Sequence, residues 1–169
     1  MTVIAEHDLI SEYTLFDPVI RERLDNFDTD STCWDEYDFL GEGGEREAWL
    51  DKTTNLVYKR LHTDSRTLFM SHTDLFQEIP SLDKAHRFLR EHPEHGVRYA
   101  ETYYYTNAQG EQFMVQEYVD NLGDHTLAPS FCDALMDIDS DTGISDDSYE
   151  MNFGRDADGT IVLTDMLEV

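Results

Sequence analysis

Between residues 37 and 61, three short runs of strand-forming residues are separated by turn residues. The runs are Tyr37-Asp38-Phe39-Leu40, Glu47-Ala48-Trp49-Leu50 and Leu56-Val57-Tyr58-Lys59-Arg60-Leu61; the turns are Gly41-Glu42-Gly43-Gly44 and Asp51-Lys52-Thr53-Thr54-Asn55. Turns this short let each run pair only with its sequence neighbour, so the segment is predicted to be an antiparallel meander. A second pair of runs, 99–106 and 112–119, is joined by Asn107-Ala108-Gln109-Gly110, a polar glycine turn suited to a hairpin. Five antiparallel strands are therefore expected.

Helical periodicity lies on both sides of the meander. Leu15, Val19, Ile20 and Leu24 recur at helical spacing, and Asp17-Pro18 supplies a cap and a first-turn proline, so a helix is predicted over about 17–26. Residues 81–91 put Leu82, Ala85, Phe88 and Leu89 on one face, with Ser81 placed to cap the helix and His92-Pro93 to end it. A shorter helix is read over 130–140 from Phe131, Leu135 and Ile138. The chain closes with Met151-Asn152-Phe153, a turn at Asp156-Ala157-Asp158-Gly159, and the strand 160–164 leading to Asp165, a second hairpin. The fold class is α+β. No internal repeat and no long linker divides the chain.

Charge narrows the functions open to such a fold. The 169 residues carry 12 basic and 37 acidic side chains, a net charge of −25, and beyond residue 100 Arg155 is the sole Lys or Arg. Phosphate backbones need a Lys/Arg surface, so direct nucleic-acid binding is not expected, nor is binding to anionic membranes. The same field would recruit cations and basic proteins, or would simply keep the chain solvated. With 40% hydrophobic and 12% aromatic residues, the chain has enough apolar material for a core. No apolar run is long enough for a membrane span and residues 1–6 lack signal-peptide character, so a cytoplasmic protein is expected. Cys33 and Cys132 show no ligand spacing and fit unpaired thiols in a reducing compartment.

The order of elements has a chemical use. A glycine turn lets backbone amides approach a polyphosphate, a lysine on a neighbouring strand offers it a point charge, and Asn and Asp oxygens can hold a bridging Mg²⁺. A further Asp can accept the proton of an attacking hydroxyl. In this order the chain resembles the protein-kinase fold from about residue 37 onward. Leu40-Gly41-Glu42-Gly43-Gly44-Glu45-Arg46-Glu47-Ala48 is similar to the glycine-rich loop, and Leu56-Val57-Tyr58-Lys59 to the strand ending in the phosphate-pairing lysine. Asp147-Ser148-Tyr149-Glu150-Met151-Asn152 has the spacing of catalytic base and metal-binding Asn, and Asp165 follows across a hairpin where the metal-binding Asp is expected.

The resemblance implies a kinase-like five-stranded sheet with one helix over 37–120, a strongly reduced second lobe over 121–169, and a helical extension over 1–36. It also implies ATP and Mg²⁺ as cofactors. Gly41, Gly43, Gly44 and Lys59 would hold phosphates, Glu117 and Val119 adenine, Asn152 and Asp165 the metal, and Asp147 would be the base. Asp83 would be the helix partner of Lys59.

The departures are specific. Ser145-Asp146 replaces the His-Arg before the base, Tyr149 the lysine two residues after it, and Met166-Leu167 the Phe-Gly after the metal Asp. The sequence ends at Val169 without an activation segment. This abbreviated plan resembles the early protein kinases of lytic short-tailed bacteriophages, which implies a serine/threonine kinase acting on basic host proteins in the host cytoplasm. The alternative is a catalytically weak kinase-like acidic protein that blocks a host DNA-handling enzyme by presenting carboxylates in place of phosphates.

Two other motifs are weaker. Residues 137–145 resemble a calcium loop, but Gly143 falls one residue late and Ser148 stands where a bidentate Glu is needed, so a polar loop is preferred. His92-Pro93-Glu94-His95, with His86 nearby, offers imidazoles without a Cys or third close ligand, and is read as a helix-ending turn.

Overall fold

The structure is a computed structural model that describes residues 11–28, 35–42, 46–61, 75–121, 136, 144–146, 153–164 and 166–168. The chain divides into two units, one formed by 1–77 and 101–118, the other by 78–100 and 119–169.

In the first unit, helix α1 (Pro18–Asp25) starts where the sequence places it. The Asp17 carboxylate accepts hydrogen bonds from the Val19 and Ile20 amides at 2.9 and 3.2 Å, and Pro18 occupies the first turn. Strands β1 (Tyr37–Glu42), β2 (Arg46–Asp51) and β3 (Leu56–Leu61) form the meander, and β5 (Thr102–Thr106) and β6 (Gln112–Glu117) the hairpin. A short strand between the two pairs, β4 (Val97–Tyr99), joins the second unit. The five-stranded antiparallel sheet has the order β1-β2-β3-β6-β5. Its β5 edge is covered by residues 13–15: Leu15 N–H donates to Tyr104 C=O at 3.0 Å, and Tyr104 N–H to Tyr13 C=O at 2.7 Å.

The core of this unit lies between α1 and one sheet face, where Leu15, Leu24, Phe27, Tyr37, Trp49, Tyr58, Phe113 and Val115 are buried together. Phe27 is central. Its ring meets Tyr37, Tyr58 and Phe113 edge-on at 4.9, 5.9 and 5.5 Å, the geometry that ring quadrupoles favour. The hairpin turn docks on the end of α1: Asn107 Nδ2 donates to Leu24 C=O at 3.1 Å, and the Ala108 amide and Tyr105 hydroxyl both donate to Asp25.

Asp51 joins helix, sheet and turn. It is fully buried at the end of β2, although its setting among polar residues reads as an exposed turn. Arg23 grips it through two bonds (2.5 and 2.8 Å), Tyr58 donates its hydroxyl at 2.6 Å, and the Thr53 amide donates at 2.9 Å. Burial alone would raise the Asp51 pKa, but the bonds from Arg23, Tyr58 and Thr53 outweigh it and hold the carboxyl below its ordinary value. Burial and the Asp51 charge push the Tyr58 phenol up, so it stays a donor.

In the second unit, α2 (Ile79–Glu91) starts two residues before the predicted Ser81. Leu75–Glu78 forms a 3-10 turn that leads into the helix, and Pro80 sits in its first turn, where a missing N–H is harmless, so Ser81 lies inside the helix and is not its cap. The predicted strand 99–106 is broken at residues 100–101. β4 leaves the five-stranded sheet and pairs in parallel with β10 (Ile161–Leu163), while the Ala100 amide donates to Leu163 C=O at 2.8 Å. β10 forms the expected hairpin with β9 (Phe153–Arg155), and β7 (Asp120–Asn121) completes the order β4-β10-β9-β7. Gly159, at φ +80°, supplies the left-handed residue of the β9–β10 turn. β8 (Ile144–Asp146) and β11 (Met166–Glu168) pair separately and antiparallel. Of the predicted helix 130–140 only Met136 is described; it is helical and exposed. No helix among the described residues is long and apolar enough to cross a membrane.

Removing one partner of a buried ion pair leaves the other uncompensated. Asp51→Ala is expected to lower stability by about 3 kcal/mol, and Tyr58→Phe, which removes one donor, by about 1 kcal/mol, in urea titrations followed by tryptophan fluorescence. The Asp51 pKa is lower in the folded chain, so the unfolded chain takes up the proton first on acidification. The contribution is full above the ordinary carboxylate range and is lost as pH falls below about 4, a loss that Asp51→Asn should flatten.

Candidate functional site

Strand alternation puts the two adjacent cations of β3 on opposite sheet faces. Arg60 lies on the α1 face, paired with Glu47, bonded to Glu111 at 3.0 Å, and stacked on Phe27 at 5.4 Å. Lys59, half-buried, lies on the other face. The cross-strand register there runs Gly41, Ala48, Lys59, Met114, Tyr104 across all five strands. The neighbouring row on the same face contains Leu50, Val57, Gln116 and Thr102, and Gln116 donates to the Thr102 hydroxyl at 3.0 Å. Small Ala48 and buried Met114 flank Lys59 across the strands, on a face that also carries Asp38, Arg46, Gln112 and Gln116.

Gly41 sits at φ +150°, a conformation that disfavours any side chain, and among the described residues, its chain neighbours aside, no heavy atom lies within 4 Å of the position a Cβ would take. The backbone at the end of β1 is open to close approach. A register shift between Phe39 and Gly41 leaves Leu40 as a bulge, and Phe39 and Leu40 are exposed. Gly43 and Gly44 lie outside the described residues.

Of the pair expected to meet adenine, Glu117 is engaged with Glu101: its amide donates to Glu101 C=O at 3.2 Å, and its carboxylate accepts from the Glu101 amide at 3.0 Å. Val119 is half-buried between β6 and β7. Asp83, the expected partner of Lys59, accepts a hydrogen bond from Arg87 at 2.6 Å, one helical turn away on α2.

Asp147, Asn152 and Asp165 lie outside the described residues, as do Cys33, Cys132 and most of the calcium-like loop. Their sequence neighbours are described. Asp146, just before Asp147, is the cross-strand partner of Met166, just after Asp165. Phe153, just after Asn152, pairs with Leu163, two residues before Asp165. The two ladders pair the described neighbours of these three positions.

Among the described residues one group has ligand atoms arranged for a metal ion: His92, Glu94 and His95, whose donor atoms all lie within 4.8 Å of one another. Glu94 supplies the third close group missing from the sequence reading: the 3-10 turn Pro93–His95 sets His95 three positions after His92, and the Glu94 carboxylate stands 2.9 Å from His92 Nδ1. No protein-family profile matches the chain, and no curated protein matches it in sequence.

His86, on α2, is buried against the Tyr99 ring at 5.1 Å. Burial above all, then the Arg90 charge, lowers its pKa to about 4. Between pH 6.5 and about 4 the unfolded chain binds a proton that the folded chain refuses, so stability falls as pH drops through this window, by about 3 kcal/mol in all. Comparing unfolding of the native chain and His86→Leu at pH 7 and pH 4.5 checks this: the variant should lose less stability on acidification.

Proposed function

We propose that this chain is an ATP-dependent phosphoryl transferase acting on protein hydroxyls, a serine/threonine kinase of the abbreviated phage type. The observation that carries the reading is the pair of ladders Asp146–Met166 and Phe153–Leu163, which flank the D-x-x-x-x-N run and the later Asp. The strand order, the half-buried Lys59 facing away from α1, and the open glycine backbone at Gly41 support it.

On this reading the residues divide the work by their chemistry. Gly41, Gly43 and Gly44 would offer backbone amides to phosphates, and half-buried Lys59 a point charge that is screened less than one in water. Val119 would offer backbone groups to adenine, and Glu117 its carbonyl, since its amide donates to Glu101 C=O. Asn152 and Asp165 provide the oxygen donors a Mg²⁺ ion prefers, and the bound ion would neutralise phosphate charge. Asp147 would orient and deprotonate the attacking hydroxyl. With Tyr149 in place of a cation near the base, slow turnover is expected. The −25 charge favours basic protein substrates, whose association weakens as salt rises.

Calorimetry with MgATP should give binding below millimolar nucleotide, weakened in Lys59→Met. Transfer of γ-phosphate to a basic protein, or to the chain itself, should fall by roughly 10²–10⁴-fold in Asp147→Asn, the range for loss of a general base. Equal labelling by both forms removes Asp147 from the role. No binding at millimolar ATP, together with salt-sensitive capture of a basic DNA-handling protein, would favour the acidic inhibitor.

A further inference from the structure

The connection between α2 and β4 has no part in phosphoryl transfer, yet its side chains are arranged for a different ligand. His92 ends α2, Pro93–His95 makes a single 3-10 turn, and Gly96 closes it in the left-handed conformation at φ +65°. The His95 amide donates to His92 C=O at 3.3 Å, and the Gly96 amide to Pro93 C=O at 3.1 Å. Phe88, buried on the last turn of α2, backs both imidazoles, with ring centroids 4.5 Å from His92 and 6.3 Å from His95. The turn is thus pinned by backbone bonds below and an aromatic wall behind.

We propose that His92, Glu94 and His95 form a zinc site. His92 Nδ1 stands 2.9 Å from a Glu94 carboxylate oxygen, and the donor atoms of all three residues fall within 4.8 Å. Ligands of a tetrahedral zinc ion at bond lengths near 2.0–2.1 Å lie about 3.3 Å apart, so the donor atoms need to draw in by about 1.5 Å at most. Two imidazoles and one carboxylate suit zinc, whereas Mg²⁺ and Ca²⁺ prefer oxygen throughout. Three protein ligands leave a fourth position for water, and the exposure of Glu94 keeps that side open. The acidic surface raises the local cation concentration. A bound ion would clip the end of α2 to the start of β4, the strand on which β10 is laid.

The test titrates ZnCl2 into the EDTA-treated full chain by calorimetry in a non-chelating buffer. One zinc per chain with a micromolar Kd is expected, and the double variant His92→Ala/His95→Ala should weaken that component by about a hundredfold or more. Co²⁺ should give the visible absorption of four-coordinate cobalt in the native chain and lose it in the variant. Far-UV circular dichroism without metal checks that the variant folds. Glu94→Gln keeps both imidazoles and should bind about tenfold more weakly, and with the native cobalt spectrum it decides the matter if the double variant does not fold. No binding at millimolar zinc, an unchanged isotherm in the double variant, or a six-coordinate cobalt spectrum would overturn the site.

Discussion

A carboxylate with no exposure to water organises the first unit. Asp51 cannot sit ionised under α1 unless its oxygens are filled, and Arg23, Tyr58 and Thr53 fill them from a helix, a strand and a turn. Each bond therefore fixes the position of a different element. With α1 anchored this way, Phe27 is delivered into the ring cluster and the C-terminal end of the helix meets Asn107 and Ala108 of the hairpin.

Because α1 occupies one sheet face, the proposed phosphate site lies on the other. The contrast between Arg60 and Lys59 follows. Arg60 faces α1 and is tied to Glu47, Glu111 and the Phe27 ring, which suits a planar guanidinium. Lys59 is one residue earlier and on the opposite face, between Ala48 and Met114. A one-residue slip of β3 would exchange the two cations, burying an ammonium against aromatic rings and moving Lys59 off the face of the proposed site.

What was legible in the sequence was what periodicity and turn chemistry encode locally. The α1 cap at Asp17, the meander, the 107–110 and 156–159 turns and the α+β class all follow from short-range patterns. Long-range partners carried what was not legible. Asp51 looks like a turn residue because nothing nearby in sequence announces Arg23. The run 99–106 looks continuous because its β propensity does not reveal that 97–99 pairs with a strand more than sixty residues later. Ser81 looks like a cap until the 3-10 turn before it supplies an earlier start. Glu94 became a third ligand only once the turn geometry was known. The proposed catalytic positions were legible as spacing alone, and the structure describes only their neighbours, paired in two ladders.

The charge of the chain and its proposed site pull in opposite directions. Among the described cations, Arg23, Arg60, Arg87 and Arg98 are held by carboxylates of their own unit, so much of the positive charge is spent internally while acids dominate the surface. A nucleotide approaching such a molecule meets a repulsive field, and a basic protein meets an attractive one. Screening acts on both: added salt eases nucleotide approach and loosens the protein partner. A divalent ion reconciles the two, because it lowers the charge of the nucleotide before contact and leaves Lys59 to act at short range, where partial burial weakens screening. On the proposed reading, the acidic surface therefore selects the protein partner, and nucleotide recognition falls to the few groups that act at short range.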